Sequence, residues 1–462
     1  MNSQPLVTVY IPSRNYSKFL ENAIQSVINQ IYINWELFII DEGSKDKTES
    51  IAKKYTTKYP EKISFIKNKK PIGLQKVANH ILGISNGKYM IRLDADDWFS
   101  EIALISLVKK IESANNASIV YGNYFYTDSD GKILGVETRN QFGKEDKHGQ
   151  IPPHGACTLF ETRSLKSNGG YIENVNAQDG WDLWFKLFKK VGAVNIDQPV
   201  FYYRQHQNSL SKNENRLLKA REKIFEKLAS KLNGDYRPTV LAVIPVKESY
   251  PKFTKVPYRK FNGESLLSIA INNALKSDKI DELVVYSASK DVLNYSEELE
   301  RNKLVPKHLR LLRKKTKIQN NIPIINFMKT SGEMFYQTKG EYPDIVIYLS
   351  LHAVNRRKSH IENALNVLLI SESDSVVSVQ EEREPMFKFG LSGLELINPG
   401  RFKNLSFDKE KLYRFNGSLI ATWWDLLEKE SLFGNKTSYM EMSTKDSFQI
   451  KDSSVLDKEN LK

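Results

Sequence analysis

The stretch K-Y-M-I-R-L-D-A-D-D-W-F, residues 88–99, decides the fold. Tyr89–Leu93 is a short apolar run with the pattern of a strand buried on both faces. It delivers Asp94, Asp96 and Asp97 together at its end. Ligands of open α/β sheets bind beyond the carboxyl ends of strands. Carboxylates gathered so closely repel one another unless a cation or several donors compensate. A divalent metal is one resolution, because hard cations take oxygen ligands. A helix start is the other, with Asp96 or Asp97 capping a helix over Glu101–Ile111.

Outward from this stretch, two segments open alike. Residues 6–12 (LVTVYIP) and 240–245 (VLAVIP) read as buried strands. Each leads through a polar loop to a helical stretch, Phe19–Asn29 in one half and Glu264–Lys276 in the other. Each then reaches a second buried strand, 35–41 (WELFIID) and 281–289 (DELVVYSAS). That is a βαβ start made twice. Between them, 213–233 has apolar residues at helical spacing, with Gly234 as a stop and Pro238 beyond it. The boundary this gives divides the chain into 1–236 and 237–462. The last dozen residues read as a frayed end.

Composition narrows the class. The 462 residues are 40% hydrophobic and 27% charged, a globular mix with length for two or more domains. A single cysteine, Cys157, excludes a disulfide framework and a multi-cysteine zinc site. The formal net charge of +13 favours anionic partners, although the lysines are scattered rather than clustered. A nucleic-acid binder should show a basic stripe interleaved with aromatics, and there is none. No apolar run reaches the roughly 18 residues of a spanning helix. The N-terminus reads as a first strand rather than a signal peptide. The expectation is a cytoplasmic protein with a peripheral contact at the inner membrane face.

Three further clusters carry chemistry in the first half. Asp41 closes the strand 35–41 and is followed by Glu42, Gly43, Ser44 and Asp46, which suit either a ligand-binding exit or a plain turn with a helix cap. Asp179 precedes an apolar helix with Trp181 and Trp184, either as a desolvated general base or as an N-cap, with Asp182 solvent-facing in the second case. Arg204 and His206 lie two apart in YYRQHQNSLS, 202–211, and both can hold phosphate.

Taken in order, YIPSRNYSKFLENAIQSVINQ, WELFIIDEGSKDKT, NGKYMIRLDADDWF, HGACTLF, QDGWDLWFKL and YYRQHQNSLS make the first half resemble a family 2 glycosyltransferase of the A-type fold. The resemblance implies inverting transfer of a sugar from a nucleotide-sugar donor to an acceptor hydroxyl, in surface polysaccharide or glycoconjugate synthesis. It implies that Asp41 contacts the base, with Pro12 and Arg14 lining the same pocket. Asp94 would contact the ribose side, and Asp96 would ligate Mg2+ or Mn2+ on the diphosphate. Asp179 would be the general base, and Arg204 and His206 would lie near the diphosphate. The acceptor would be a glycan or a lipid-linked glycan. Glu42 stands where the family usually has a second aspartate, and Gln178 where many relatives have an acid.

The second half resembles the cytidylyltransferases that activate acidic sugars, through VIPVK, FNGESLLSIAINNALKSDKIDELVVYSAS, SDSVVSVQE, LYRFNGSLIATWW and FGNKTSYMEMSTKDSFQIKDSSVL. The fold class expected is therefore two Rossmann-like nucleotide-binding α/β domains in tandem. The family also implies a homodimer through this domain. Departures point to impaired nucleotidyl transfer. Lys247 is followed by Glu248, Ser249 and Tyr250 rather than small residues. Gln449 and Lys451 fall where metal-binding aspartates belong, in what reads as a strand FQIKD, where a slip to Asp452 would point to the other face.

Overall fold

The computed structural model describes residues 4–114, 116–138, 155–175, 177, 179–206, 213–232, 237–251, 253–302, 304, 309–313, 323–382, 384–390, 393–398, 412–452 and 456. Gly234 and most of the final dozen residues lie outside them. The chain forms two compact units, Met1–Ile224 with Arg383–Glu410 and Phe225–Glu382 with Lys411–Lys462.

The first unit alternates strand and helix: β1 Val7–Ser13, α1 Ser17–Ile28, β2 Trp35–Asp41, α2 Thr48–Lys58, β3 Ile63–Lys67, α3 Leu74–Ile84 and β4 Tyr89–Arg92. There follow β5 Trp98–Phe99, α4 Ala103–Ser113, β6 Ile119–Thr127, β7 Ile133–Glu137, β8 Leu159–Glu161, α5 Thr162–Ser167, α6 Asp179–Val191, β9 Ala193–Arg204 and α7 Glu214–Leu232, the last crossing the unit boundary. The sheet runs β3-β2-β1-β4-β8-β6-β9-β5, with β7 on β6. β1 lies parallel to both β2 and β4, so strand order reverses between β1 and β4. A crevice at such a reversal is where α/β sheets receive ligands.

Alternation along β1 explains why both faces are covered. Val7, Val9 and Ile11 pack with Leu20, Ile24 and Val27 of α1 and Leu104 and Leu107 of α4. Tyr10 points the other way, into a layer with Val77 and Ile81 of α3 and Trp184 of α6. Gly87 sets β4 beside β1. A Cβ there would lie 2.5 Å from Thr8 N and 2.7 Å from Tyr89 O, so only glycine fits.

The second unit begins the same way. Its elements are β10 Val240–Pro245, β11 Lys260–Phe261, β12 Glu264–Ser265, α8 Leu266–Leu275, β13 Glu282–Ser287, α9 Lys290–Arg301, β14 Leu309–Arg313, α10 Ile324–Lys339, β15 Ile345–Leu349, α11 Lys358–Ser371 and β16 Ser375–Glu381. A hairpin β17 Met386–Gly390 and β18 Gly393–Asn398 falls in the segment grouped with the first unit, before β19 Tyr413–Trp423, α12 Trp424–Glu428 and β20 Thr437–Glu441. The sheet order is β14-β13-β10-β15-β19-β16-β20. β10 is parallel to β13 and β15, and β19 runs antiparallel to β15 and β16. Met328 and Phe335 of α10 pack with Trp424 and Leu427 of α12 over one face.

Two expectations change. The helix after Asp97 starts at Ala103, with Ile102 as its cap residue and no side-chain cap, so neither Asp96 nor Asp97 caps it. The intervening residues instead form β5 against β9. Residues 448–452 form no strand. Gln449 turns back to Gly417, its amide donating to Asn416 O, and Ile450 N donates to His352 O at 3.1 Å. The two-faced argument for Asp452 therefore does not apply.

Candidate active site

The β4 exit is a tight turn. Leu93 N donates to Tyr10 O at 3.0 Å, and Asp97 N donates to Asp94 O at 3.1 Å. Asp94 Oδ1 lies 2.9 Å from Arg92 Nε. Asp97 is fully buried and accepts the Arg204 backbone N–H at 2.9 Å, while its Oδ2 has no hydrogen-bond partner among the described residues. Burial, then the charges of Asp96 and Asp94, push the Asp97 carboxyl well above its ordinary range. Asp96 is raised too, by burial and then by Asp94, against the opposing pull of His206.

The end of β9 closes over this turn. His206 Nε2 lies 2.8 Å from Asp96 Oδ2, and the ring packs on Tyr16 and Phe19. Arg204 Nε donates to Asp96 O at 2.9 Å, and Nη1 donates to Ser129 O at 2.8 Å. Its guanidinium lies over Phe19 at 4.6 Å and over Trp98 at 4.5 Å, with Trp98 stacked on Tyr202. This arginine thus holds the acidic turn in place through its backbone carbonyl. Tyr16 completes the wall. Burial and then the charge of Asp96 move its hydroxyl up to about 12, so it stays a neutral donor at ordinary pH.

The exits of β1 and β2 form the other side. Ser13 and Asp41 are paired in register, which places Pro12, Arg14 and Asp41 together. Asp41 is fully buried; its Oδ1 accepts Ser44 N at 2.8 Å, and its Oδ2 has no partner among the described residues. Glu42, the acid at the departing position, accepts Ile72 N and Gly73 N at 2.9 Å each and so seats the start of α3. Asp46 takes Ser17 N at 2.8 Å, and Ser44 Oγ takes Asn15 N at 2.9 Å, which lace the loop after β1 to the loop after β2.

Two further residues were not singled out in the sequence. Gln75 is 2% exposed, and neither end of its amide has a partner among the described residues. The signal was a polar residue on the apolar face of α3. Trp98 read as ordinary strand content, yet it is the shelf under Arg204.

Asp179 is the first residue of α6, and its side chain is not among those described. Gln178 and residues 207–211 also lie outside the description. Asp182 is not solvent-facing. It is 1% exposed, accepts Ile172 N at 2.6 Å and meets Lys186 Nζ at 2.8 Å, an internal pair that fixes α6.

The chemistry of the turn suits a hard cation. Asp94 and Asp96 supply oxygens whose mutual repulsion a cation relieves, and His206 adds a nitrogen. No group of three or more His, Cys, Asp or Glu among the described residues forms a ready cage. Mg2+ in phosphate-transfer sites uses one or two carboxylates together with substrate phosphates, and two carboxylates suffice for that arrangement.

Residues 8–166 match the family described as Glycosyl transferase family 2. The glycosyltransferase RT0329 of Rickettsia typhi, uncharacterized, is 30% identical over 206 residues, which are 42% of this chain and 62% of that protein. The UDP-Glc:alpha-D-GlcNAc-diphosphoundecaprenol beta-1,3-glucosyltransferase WfgD of Escherichia coli is 28% identical over 220 residues, 46% of this chain and 83% of that protein. The Staphylococcus aureus TarS 1-349 structure in complex with UDP-GlcNAc superposes with a TM-score of 0.40 at 16% identity, covering 50% of this chain and 67% of that one. The chain therefore spans less than two thirds of the Rickettsia protein and matches its relatives over less than half of its own length. The β4 acidic turn lies inside the residues that match the glycosyltransferase family 2 model, and the N-terminal region of this chain is similar to glycosyltransferases.

Proposed function

We propose that this chain moves a sugar, with inversion, from a nucleotide-sugar donor to a hydroxyl of a glycan or lipid-linked glycan in polysaccharide or glycoconjugate synthesis. The observation that carries the reading is the convergence of Asp41, Asp94 and Asp96 around one strand-order reversal, with buried oxygens of Asp41 and Asp97 that lack partners among the described residues. A base and ribose supply hydrogen bonds to such atoms, and buried polar groups are rarely left without them. The relative WfgD uses UDP-Glc and a diphosphoundecaprenol-linked acceptor by its name, which supports a uridine donor and a lipid-linked acceptor here. Such an acceptor favours a peripheral position at the inner membrane face. No helix among the described residues is long and apolar enough to cross a membrane.

In this reading Asp41 takes the base, with Pro12 and Arg14 beside it, and Asp94 the ribose side. Asp96 would hold Mg2+ or Mn2+, which would supply positive charge against the diphosphate. His206 lies against Asp96 and meets the same phosphates, while Arg204 keeps the turn in place. Asp179 accepts the proton of the acceptor hydroxyl as its oxygen bonds to the anomeric carbon. The bond from that carbon to the diphosphate breaks on the opposite face, and the nucleoside diphosphate leaves. The domain limits we assign are 1–236 and 237–462. The second domain is an accessory unit with a cytidylyltransferase-like fold and impaired nucleotidyl transfer, in keeping with Gln449 engaged on Asn416 O and Lys451 nearby.

The test is donor binding and turnover with a panel of nucleotide sugars and Mn2+, in wild type, Asp96→Ala and Asp179→Asn. One donor should bind and turn over. Asp96→Ala should lose both, and Asp179→Asn should keep binding while losing transfer. Binding of CTP with no nucleotide sugar bound would place the activity in the second domain instead.

A further inference from the structure

The first unit has a cavity of about 400 Å3 between α4 and the N-terminal half of β9. Its walls are Ser106, Lys109, Lys110 and Ser113 from the helix and Asn195–Gln198 from the strand. Arg204, which closes the acidic turn, ends the same strand, so this cavity is a separate place on the sheet.

A break in strand pairing makes it. β6 and β9 run in parallel register from Ile119↔Ala193 to Gly122↔Ile196, and pairing resumes at Asn123↔Pro199. Asp197 and Gln198 are thus looped out of the ladder, and Pro199 brings no N–H to it. Bulges re-aim side chains, and here they face α4. Gln198 Nε2 donates to Ser106 Oγ at 2.6 Å, and Asn123 Nδ2 donates to Asp197 Oδ1 at 2.9 Å. The extra residues are therefore fixed from both sides.

Asn195 is the decisive residue. It is 3% exposed, it lines the cavity, and neither its amide nitrogen nor its amide oxygen has a hydrogen-bond partner among the described residues. A buried amide with both ends unsatisfied calls for a donor-and-acceptor ligand. Sugar hydroxyls are such groups. Ser106, Ser113 and Gln198 add neutral hydrogen-bonding capacity, and Lys109 and Lys110 add two ammonium groups against the single carboxylate of Asp197.

We propose that this cavity binds a hydroxyl-rich anionic group, the segment of a glycan that carries a uronate carboxylate or a glycosyl phosphate. Asn195 reads the hydroxyls, and Lys109 and Lys110 take the anion. The inference stands on this cavity alone and does not depend on which donor the acidic turn uses.

Calorimetric titration of the full chain tests it, with a glucuronate-bearing tetrasaccharide, glucose 1-phosphate, a neutral glucose tetrasaccharide and inorganic phosphate as probes. One of the two charged sugars should bind, and which of them binds tells carboxylate from phosphate. Asn195→Ala should weaken that binding by about ten-fold or more, the size of a lost charge-free pair of hydrogen bonds in a buried site. Lys109→Glu with Lys110→Glu, on the helix surface, should abolish it with the thermal midpoint retained. This second variant keeps the test decisive should Asn195→Ala fold poorly. The proposal falls if neither charged sugar binds, if the neutral tetrasaccharide or inorganic phosphate binds as well as they do, or if the lysine variant binds like wild type.

Discussion

The two units begin with the same arrangement and end their fourth strand in opposite ways. The orders β3-β2-β1-β4 and β14-β13-β10-β15 are the same topology, each with its reversal beside the first strand. Past β4 come Asp94, Asp96 and Asp97; the Asp96 and Asp97 carboxyls are raised, and Asp97 Oδ2 is buried without a partner among the described residues. Past β15 come Ser350, His352 and Arg356. His352 Nδ1 is 2.7 Å from Ile450 O and its ring packs on Tyr250 and Phe253. Arg356 is 1% exposed and donates through Nη1 to Ser350 O and Ser418 O, each at 2.9 Å. Burial lowers the arginine to about 10. One exit collects negative charge that asks for a ligand. The other puts a cation and an imidazole to work on its own backbone. A shared topology therefore does not carry a shared chemistry, and side chains at the strand ends decide it.

The largest effect should separate the two exits directly. Asp96→Ala should lower donor turnover by about 10^2- to 10^3-fold, the usual cost of removing a group that stabilises departing charge. His352→Ala should leave the same rate within about two-fold, since the assigned site does not include it. Equal losses in the two variants would break the comparison. Steady-state release of nucleoside diphosphate measures both.

The next effect lies at the strand entrances. Gly87→Ala should destabilise the first unit by about 3 kcal/mol, because the new methyl meets backbone at 2.5 Å and backbone cannot yield like a side-chain tip. The second unit enters its fourth strand differently. Asp344 Oδ2 accepts Thr239 N at 2.7 Å, and Ile345 N donates to Thr239 O at 3.0 Å. Asp344→Ala removes one hydrogen bond and should cost about 1 kcal/mol. Urea unfolding of each variant gives the values, and a larger loss at Asp344 would reverse the ranking.

Arg356→Leu should fall between these, at about 2 kcal/mol. It leaves the Ser350 carbonyl without that donor, yet removing a buried cation returns part of the loss. Thermal unfolding measures it, and a gain in stability would mean that burying the charge costs more than its two hydrogen bonds give.

How far the sequence foretold this follows from which signals are local. The buried strands at 7–13, 35–41 and 89–92 announced themselves because each is a continuous apolar run between turn residues. The Asp94–Asp97 cluster was legible because three carboxylates in four residues need a reason. Gln75 was not, since a single glutamine in a helical pattern reads as surface until the fold buries it at 2% exposure. The work of Arg204 on Asp96 O was hidden for a related reason. Its partner is a backbone carbonyl 108 residues away in sequence, and any residue type supplies a carbonyl. The strand expected over 448–452 failed because apolar alternation in so short a stretch also suits an extended segment held by Asn416 O and His352 O.

The smallest effect tests whether the second unit directs its charges inward, as the comparison holds. Asp446 accepts from Arg357 Nη2 at 2.7 Å and from Ser443 Oγ at 2.9 Å, and His360 Nε2 lies 3.6 Å away. Arg357 and His360 sit at the start of α11, so one carboxylate ties that helix to the 443–447 turn. Burial by itself would raise the Asp446 carboxyl, but the hydrogen bonds of His360 and Ser443 and the charges of His360 and Arg357 prevail and hold it at about 2. A carboxyl lowered on folding adds stability above its unfolded value, near 4, and that stability drains away as pH falls toward the folded value. Asp446→Asn should therefore be slightly less stable than wild type at pH 7 and should lose less on acidification from pH 4.5 to 2.5. The urea midpoints of the two proteins, followed by tryptophan fluorescence, should converge over that interval. Parallel curves would mean that the ion pairs at the head of α11 contribute nothing, and that the inward-turned charges of this unit rest on Arg356 alone.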